Sequence, residues 1–244
     1  MIPTVLPTPC PKCGAAPREV DLSKLLKKEN AGTAWVPSCE CAEAIRKEQE
    51  AQDYLRYRTQ LAALRFQKLG LGDPKKIGKG LPITTDMAWY HPNKAFAEGR
   101  HLIVSGNVGN GKTTTMLRVA WFLCMAGRRP RGGYIPTMVQ KFRSEDGREH
   151  IEDVMDGDFL ILDDMDKLRG TEYQMEVFSS IINHYDVNNR PILSTMNLLP
   201  NLLGKRLISN GVPADIAESL ASRVRHRADF ITAPGPDFRL QEER

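Results

Sequence analysis

The chain has 244 residues, 41% apolar and 26% charged, with a formal net charge of +4. This is the composition of an ordinary globular protein, long enough to build a core without disulfide staples. No run reaches the ~18 apolar residues of a membrane-spanning helix. The proline-broken start, Met-Ile-Pro-Thr-Val-Leu-Pro, lacks a signal-peptide pattern, so a cytoplasmic protein with reduced cysteines is expected.

The charge is uneven along the chain. Residues 1–80 carry 14 Lys/Arg against 9 Asp/Glu, and the remainder 20 against 21. A basic N-terminal third suits an acidic partner, nucleic acid or an acidic protein face, and equally suits a solvated Lys/Arg-rich helix. Four of the five cysteines form two close pairs, Cys10-Pro-Lys-Cys13 and Cys39-Glu-Cys41. Two thiolates on one turn can grip a metal, and two such turns complete a tetrahedral Zn²⁺ site. Gly14 suits the tight knuckle after Cys13. The second pair departs from the Cys-x-x-Cys spacing, and four unrelated thiols are the alternative. With four thiolate ligands such a zinc is structural, with no position open to substrate. Cys124 sits in an apolar stretch and reads as core.

From residue 42 to 69 there is no Gly or Pro, and charges alternate with Ile45, Leu55, Leu61, Leu64 and Phe66. One long helix is expected there. The Gly- and Lys-rich stretch 75–83 reads as a linker, dividing the chain into an N-terminal module (1–74) for partner binding and a core (84–244). In the core, short apolar runs alternate with helical patterns. Strands are expected at 101–105, 133–136, 158–163, 191–195 and 230–233, with helices at 112–126 and 214–227. Buried strands alternating with helices predict an α/β fold with a parallel sheet covered on both faces.

The strongest local signal is Gly106-Asn107-Val108-Gly109-Asn110-Gly111-Lys112-Thr113, followed by Thr114. It is a P-loop placed between a strand and a helix. Its backbone N–H groups and the helix N-terminus favour phosphate. Lys112 is expected to reach the β- and γ-phosphates of ATP, and Thr113 to bind Mg²⁺. The third strand ends in Asp163-Asp164, at the end of an α/β sheet where ligands bind. Asp163 is expected to hold Mg²⁺, and Asp164 to polarise the attacking water. Asn197, ending the fourth strand, either senses the γ-phosphate or forms a turn. Ser222-Arg223-Val-Arg225-His-Arg227 either supplies an arginine that neutralises γ-phosphate charge or places cations at a helix C-terminus.

Together, the phosphate loop, the Leu-Asp-Asp box, the Thr-Met-Asn strand end and the Ser-Arg helix resemble AAA+ ATPases of the DnaC/DnaI helicase-loader and IstB group. The resemblance covers about 84–239, and 235–239 is similar to the Gly-x-Ser-Tyr-Arg ending of that group. It implies an ATPase, with Asn197 as sensor 1 and Arg223 as an arginine finger acting on a neighbour's ATP in an oligomer on single-stranded DNA. The segment 137–156 falls where the group inserts an extra helix that helps to grip single-stranded DNA; its Lys141, Phe142 and Arg143 suit phosphate and base-stacking contacts, or else form a helix face that packs or is solvated. An N-terminal zinc module on such a core resembles bacterial and phage helicase loaders, which implies a replicative helicase as partner and a role in DNA replication. The alternatives are a transposase-associated ATPase of the IstB type and a nucleotide-gated binding module with little hydrolysis. His184 stands where relatives often have Arg, and no C-terminal lid with a second sensor arginine is expected.

Overall fold

The computed structural model describes residues 9–10, 12–21, 33–36, 39–67, 69, 90–233 and 237. Its strands are β1 (Arg18–Asp21), β2 (Thr33–Val36), β3 (His101–Gly106), β4 (Pro130–Tyr134), β5 (Phe159–Asp163), β6 (Ile192–Met196) and β7 (Ala228–Ala233). Its helices are α1 (Cys41–Gln67), α2 (Pro92–Ala97), α3 (Lys112–Met125), α4 (Ile135–Lys141), α5 (Gly147–Met155), α6 (Glu172–Val187), α7 (Leu203–Ser209) and α8 (Ala214–Arg225). The chain divides into two compact units, Met1–Tyr57 and Arg58–Arg244, with the division inside α1. The linker expected at 75–83 lies outside the described residues.

In the first unit β1 and β2 pair antiparallel, from Arg18↔Val36 to Asp21↔Thr33. A two-stranded hairpin is at best marginally stable alone, so this unit needs another source of order.

The second unit is built on a parallel five-stranded sheet in the order β4-β5-β6-β3-β7. Successive side chains of a strand face opposite sides, and both sides here are apolar. Ile103, Leu160, Leu162, Ile192 and Met196 join one core cluster with residues of α4, α6, α7 and α8. Leu102, Val104, Phe159, Ile161 and Leu193 join the other, with α3 and the end of α1. Burying each such side chain contributes about 1.5–3 kcal/mol, which fixes the register of every strand. The result is the three-layer α/β architecture expected from the alternation of strands and helices.

Two cations of the basic N-terminal third serve this packing. Arg58 Nε donates to the Met125 carbonyl at 2.7 Å, and Arg65 Nη1 to the Arg128 carbonyl at 3.1 Å. Both lie at the C-terminus of α3, where carbonyls have no helical partner. Phe66 meets Trp121 edge-on at 5.5 Å.

Several boundaries differ from the sequence expectation. The second strand runs from Pro130 to Tyr134, and Ile135-Pro136 opens α4 instead of ending the strand. A proline in the first helical turn loses no hydrogen bond and comes with φ already suited to the helix. The helix at 214–227 likewise stops at Arg225, because Arg227 adopts a left-handed φ of 54°.

Candidate nucleotide site

β3 delivers the chain to Gly106, and α3 starts at Lys112, so the phosphate loop bends sharply between a buried strand and a buried helix. Two glycines are demanded here, one by space and one by backbone conformation. At Gly106 (φ 145°) a Cβ would lie 2.5 Å from the Ala233 carbonyl oxygen on neighbouring β7. Gly109 takes a left-handed φ of 74°, which strains any residue with a side chain. Asn110, wholly buried, ties the loop to β7 by donating its amide to the Ala233 carbonyl. This cross-tie was not foreseen, because a polar residue inside the loop motif carries no mark of its distant partner. Lys112 is 6% exposed. Its Nζ donates to the Asn107 carbonyl at 2.5 Å and to Asn110 Oδ1 at 3.3 Å, which draws the ammonium inside the loop. Thr113 and Thr114 follow in the first turn of α3.

The ends of β5 and β6 bring the acids to this helix start. Thr113 Oγ1 donates to Asp163 Oδ1 at 2.8 Å, and Thr195 Oγ1 donates to the same oxygen at 2.7 Å. Thr195 in turn accepts from the Asp164 backbone N–H at 2.9 Å. Burial raises the Asp163 carboxyl above its usual range, opposed by the two threonine hydrogen bonds. A carboxylate beside a hydroxyl is a hard oxygen donor set that fits Mg²⁺. Asp164 has a left-handed φ of 59° at the start of a short 3₁₀ turn, Met165–Lys167. That turn folds Lys167 back onto it, with Nζ–Oδ2 at 2.6 Å. Asn197 Nδ2 stands 3.4 Å from Asp164 Oδ1.

Asp166 is a further participant. It is 9% exposed, accepts the Asn197 backbone N–H at 3.1 Å, and lies 3.4 Å from the Asn197 amide nitrogen. Asn210 donates to the Asp166 and Leu168 carbonyls at 2.9 and 3.1 Å, holding the turn from the far side. The sequence signal for Asp166 was its spacing from the acid pair, but a third acid in a polar turn has no distinguishing pattern.

Arg223 lies on the outer face of α8. Its Nε donates to Asn183 Oδ1 at 3.1 Å, and its Nη1 donates to Ser219 Oγ. It borders two open grooves of about 670 and 410 Å³. None of the residues lining them belongs to the phosphate loop or to the end of β5. The neighbouring arginines have other employment. Arg225 donates to the Ala221 carbonyl at 2.9 Å, and Arg227 donates to Asp186 Oδ1 at 2.9 Å.

The basic-aromatic trio changes character in the fold. Lys141 and Arg143 are exposed, and Arg143 donates to Gln174 at 3.0 Å. Phe142 is 4% exposed and packs on Phe178 at 6.0 Å, so it offers no ring face to a nucleic-acid base. The signal was present: Ile135, Met138, Val139 and Phe142 are spaced i, i+3, i+4, i+7, an inward helical stripe.

In the first unit, the sulfurs of Cys10, Cys13, Cys39 and Cys41 all lie within 4.8 Å of one another. The Gly14 N–H bonds to the Cys10 carbonyl at 2.8 Å, closing the expected knuckle with Gly14 at φ 71°. Backbone N–H groups of Cys13 and Lys12 lower the Cys10 thiol to about 7. The donor set fits Zn²⁺.

No protein-family model and no curated protein matches the sequence. Solved structures do. The structure of DnaI superposes with a TM-score of 0.54 at 21% identity, covering 65% of this chain and 88% of that one. The DnaC helicase loader follows at TM-score 0.45 and 18% identity, covering 66% and 88%. The replication initiator DnaA bound to AMPPCP and single-stranded DNA gives 0.47 and 20%, covering 62% of this chain and 49% of that one. The last two likenesses are too loose to carry weight. Strand order, phosphate loop and the superposition on DnaI agree that this chain carries an α/β P-loop core of the AAA+ fold.

Proposed function

We propose that the chain is an ATPase of the helicase-loader kind, which binds ATP and single-stranded DNA and delivers a replicative helicase in DNA replication. The observation that carries the nucleotide half is the 2.8 Å contact between Thr113 of the phosphate loop and Asp163 at the end of β5. It joins the phosphate cradle to a carboxylate suited to a cation. The loader half is supported by the likeness of the fold to DnaI and by a cysteine cluster suited to structural zinc on a separate unit.

In this reading the loop N–H groups and Lys112 hold the β- and γ-phosphates. Thr113 and Asp163 would hold Mg²⁺, which supplies positive charge against the phosphate oxygens. Asp164 accepts a proton from water as its oxygen attacks the γ-phosphorus and the bond to the β-phosphate oxygen breaks, leaving ADP and phosphate. Asn197, braced by Asp166, orients that water. Arg223 enters from a second copy of the chain and stabilises charge on the transferring phosphoryl group. ATP then cements contacts between copies, and hydrolysis releases them. The proposed division of labour gives 1–74 to the helicase and 84–244 to ATP and DNA.

The alternative of a nucleotide-gated binding module with little turnover has one observation in its favour: Asp164 is already engaged by Lys167. Steady-state phosphate release with and without single-stranded DNA separates the two. Turnover stimulated by DNA, with co-purification of a replicative helicase on the full chain, supports the loader. Negligible turnover in both conditions supports the binding module.

A further inference from the structure

The Asp164 carboxylate has both oxygens engaged. Oδ2 is 2.6 Å from Lys167 Nζ and Oδ1 is 3.4 Å from Asn197 Nδ2. The backbone brings the two residues close together. Asp164 in the left-handed region starts a 3₁₀ turn whose Lys167 N–H bonds back to the Asp164 carbonyl at 2.9 Å. The turn returns the lysine to the acid three residues before it, and the ammonium reaches its carboxylate. Tyr134, at the end of neighbouring β4, presents its ring 5.5 Å from the same ammonium and favours that position further.

A carboxylate that takes a proton from the attacking water needs a lone pair aimed at that water. The Lys167 ammonium takes a lone pair of Oδ2 and sets its positive charge against the carboxylate, which turns that oxygen away from the water and weakens it as a base. We propose that Lys167 is a positioning residue that latches Asp164 in an unproductive orientation, so that hydrolysis waits on release of the lysine. The inference rests on the reading of Asp164 as the group that polarises water. Lys167 is 48% exposed and Asp164 19%, and a half-exposed pair of this kind biases an equilibrium by only a few-fold. The latch is therefore weak enough to open during each cycle. An anion that competes for the ammonium opens it.

The test is the ATP concentration dependence of turnover by the full chain with Mg²⁺, in wild type, Lys167→Met, Lys167→Arg, Tyr134→Leu and Asp164→Asn. The latch predicts that Lys167→Met raises kcat by about 2- to 5-fold with KM unchanged. Lys167→Arg, which keeps the charge, stays at the wild-type value. Tyr134→Leu, which only loosens the lysine, gives a smaller rise in the same direction and covers the case of a poorly folded Lys167→Met. Adding Asp164→Asn to Lys167→Met must remove the gain. An unchanged or lower kcat in both Lys167→Met and Tyr134→Leu, with Asp164→Asn inactive, overturns the latch and leaves the role of Asp164 standing. Full turnover in Asp164→Asn alone overturns that role, and the latch with it.

Discussion

Around the phosphate loop the polar side chains are tied to one another within the chain: Lys112 to Asn107 and Asn110, Thr113 and Thr195 to Asp163, Asn197 to Asp166. On the outer face of α8 the arrangement is opposite. Arg223 donates only to neutral oxygens, Asn183 and Ser219, beside open grooves. Among the described residues no carboxylate holds it. A saturated network has its geometry fixed before ligand arrives, which suits phosphate and metal binding. A surface cation with neutral partners gives them up at small cost, which suits a group delivered to another molecule. Under the proposed function the contrast divides the site into two halves, one prebuilt and one lent by a second copy.

The largest expected effect lies on the prebuilt half. Lys112→Ala removes a buried cation from the loop and is expected to weaken ATP binding by about 100-fold or more, read by titration of a fluorescent ATP analogue. Equal affinity in that variant would break the contrast by showing that the loop is not the phosphate site. Thr195→Val sharpens the comparison at intermediate size. It removes the hydroxyl that links Asp163 to the Asp164 backbone, so the Mg²⁺ concentration for half-maximal turnover should rise about 10-fold or more. A threonine that merely packs would leave the Mg²⁺ dependence where it is.

The smallest effect is at the far end of β3 from the loop. His101 is fully buried, and burial lowers it from 6.5 to about 4, with Asp186 opposing. Below pH 6.5 the unfolded chain binds a proton there that the folded chain refuses until about pH 4. Stability is thus fully present above 6.5 and lost as pH falls through that window. His101→Gln should flatten the fall of the melting temperature between pH 6.5 and 4. An undiminished slope would assign it to other groups.

The prebuilt half was largely legible in the sequence. The loop glycines, Lys112, Thr113 and the paired acids announce themselves because backbone geometry and phosphate chemistry restrict residue choice at each position. Apolar runs located the strands for a similar reason: a strand buried on both faces tolerates few polar residues. What escaped notice depends on residues distant in sequence. Asn110 meets β7 across 123 positions, and Asp166 gains its role only when β6 brings Asn197 beside it. Lys167 is a local exception, missed because the left-handed Asp164 that turns it back has no glycine to mark it. Phe142 is ambiguous for another reason: it sits between two basic residues and also completes an apolar stripe, and only packing against Phe178 decides between them.

In the proposed function the two halves meet between copies of the chain, and mixing two variants exposes that meeting. Arg223→Ala alone should bind ATP normally and lose turnover by about 10³-fold, while Lys112→Ala alone should not bind. Mixed together, the first contributes an intact phosphate loop and the second an intact Arg223. If Arg223 acts across copies, ATP turnover in the mixture is well above the sum of the separate variants and rises with total protein concentration. Turnover in the mixture equal to that sum at every concentration would contradict it.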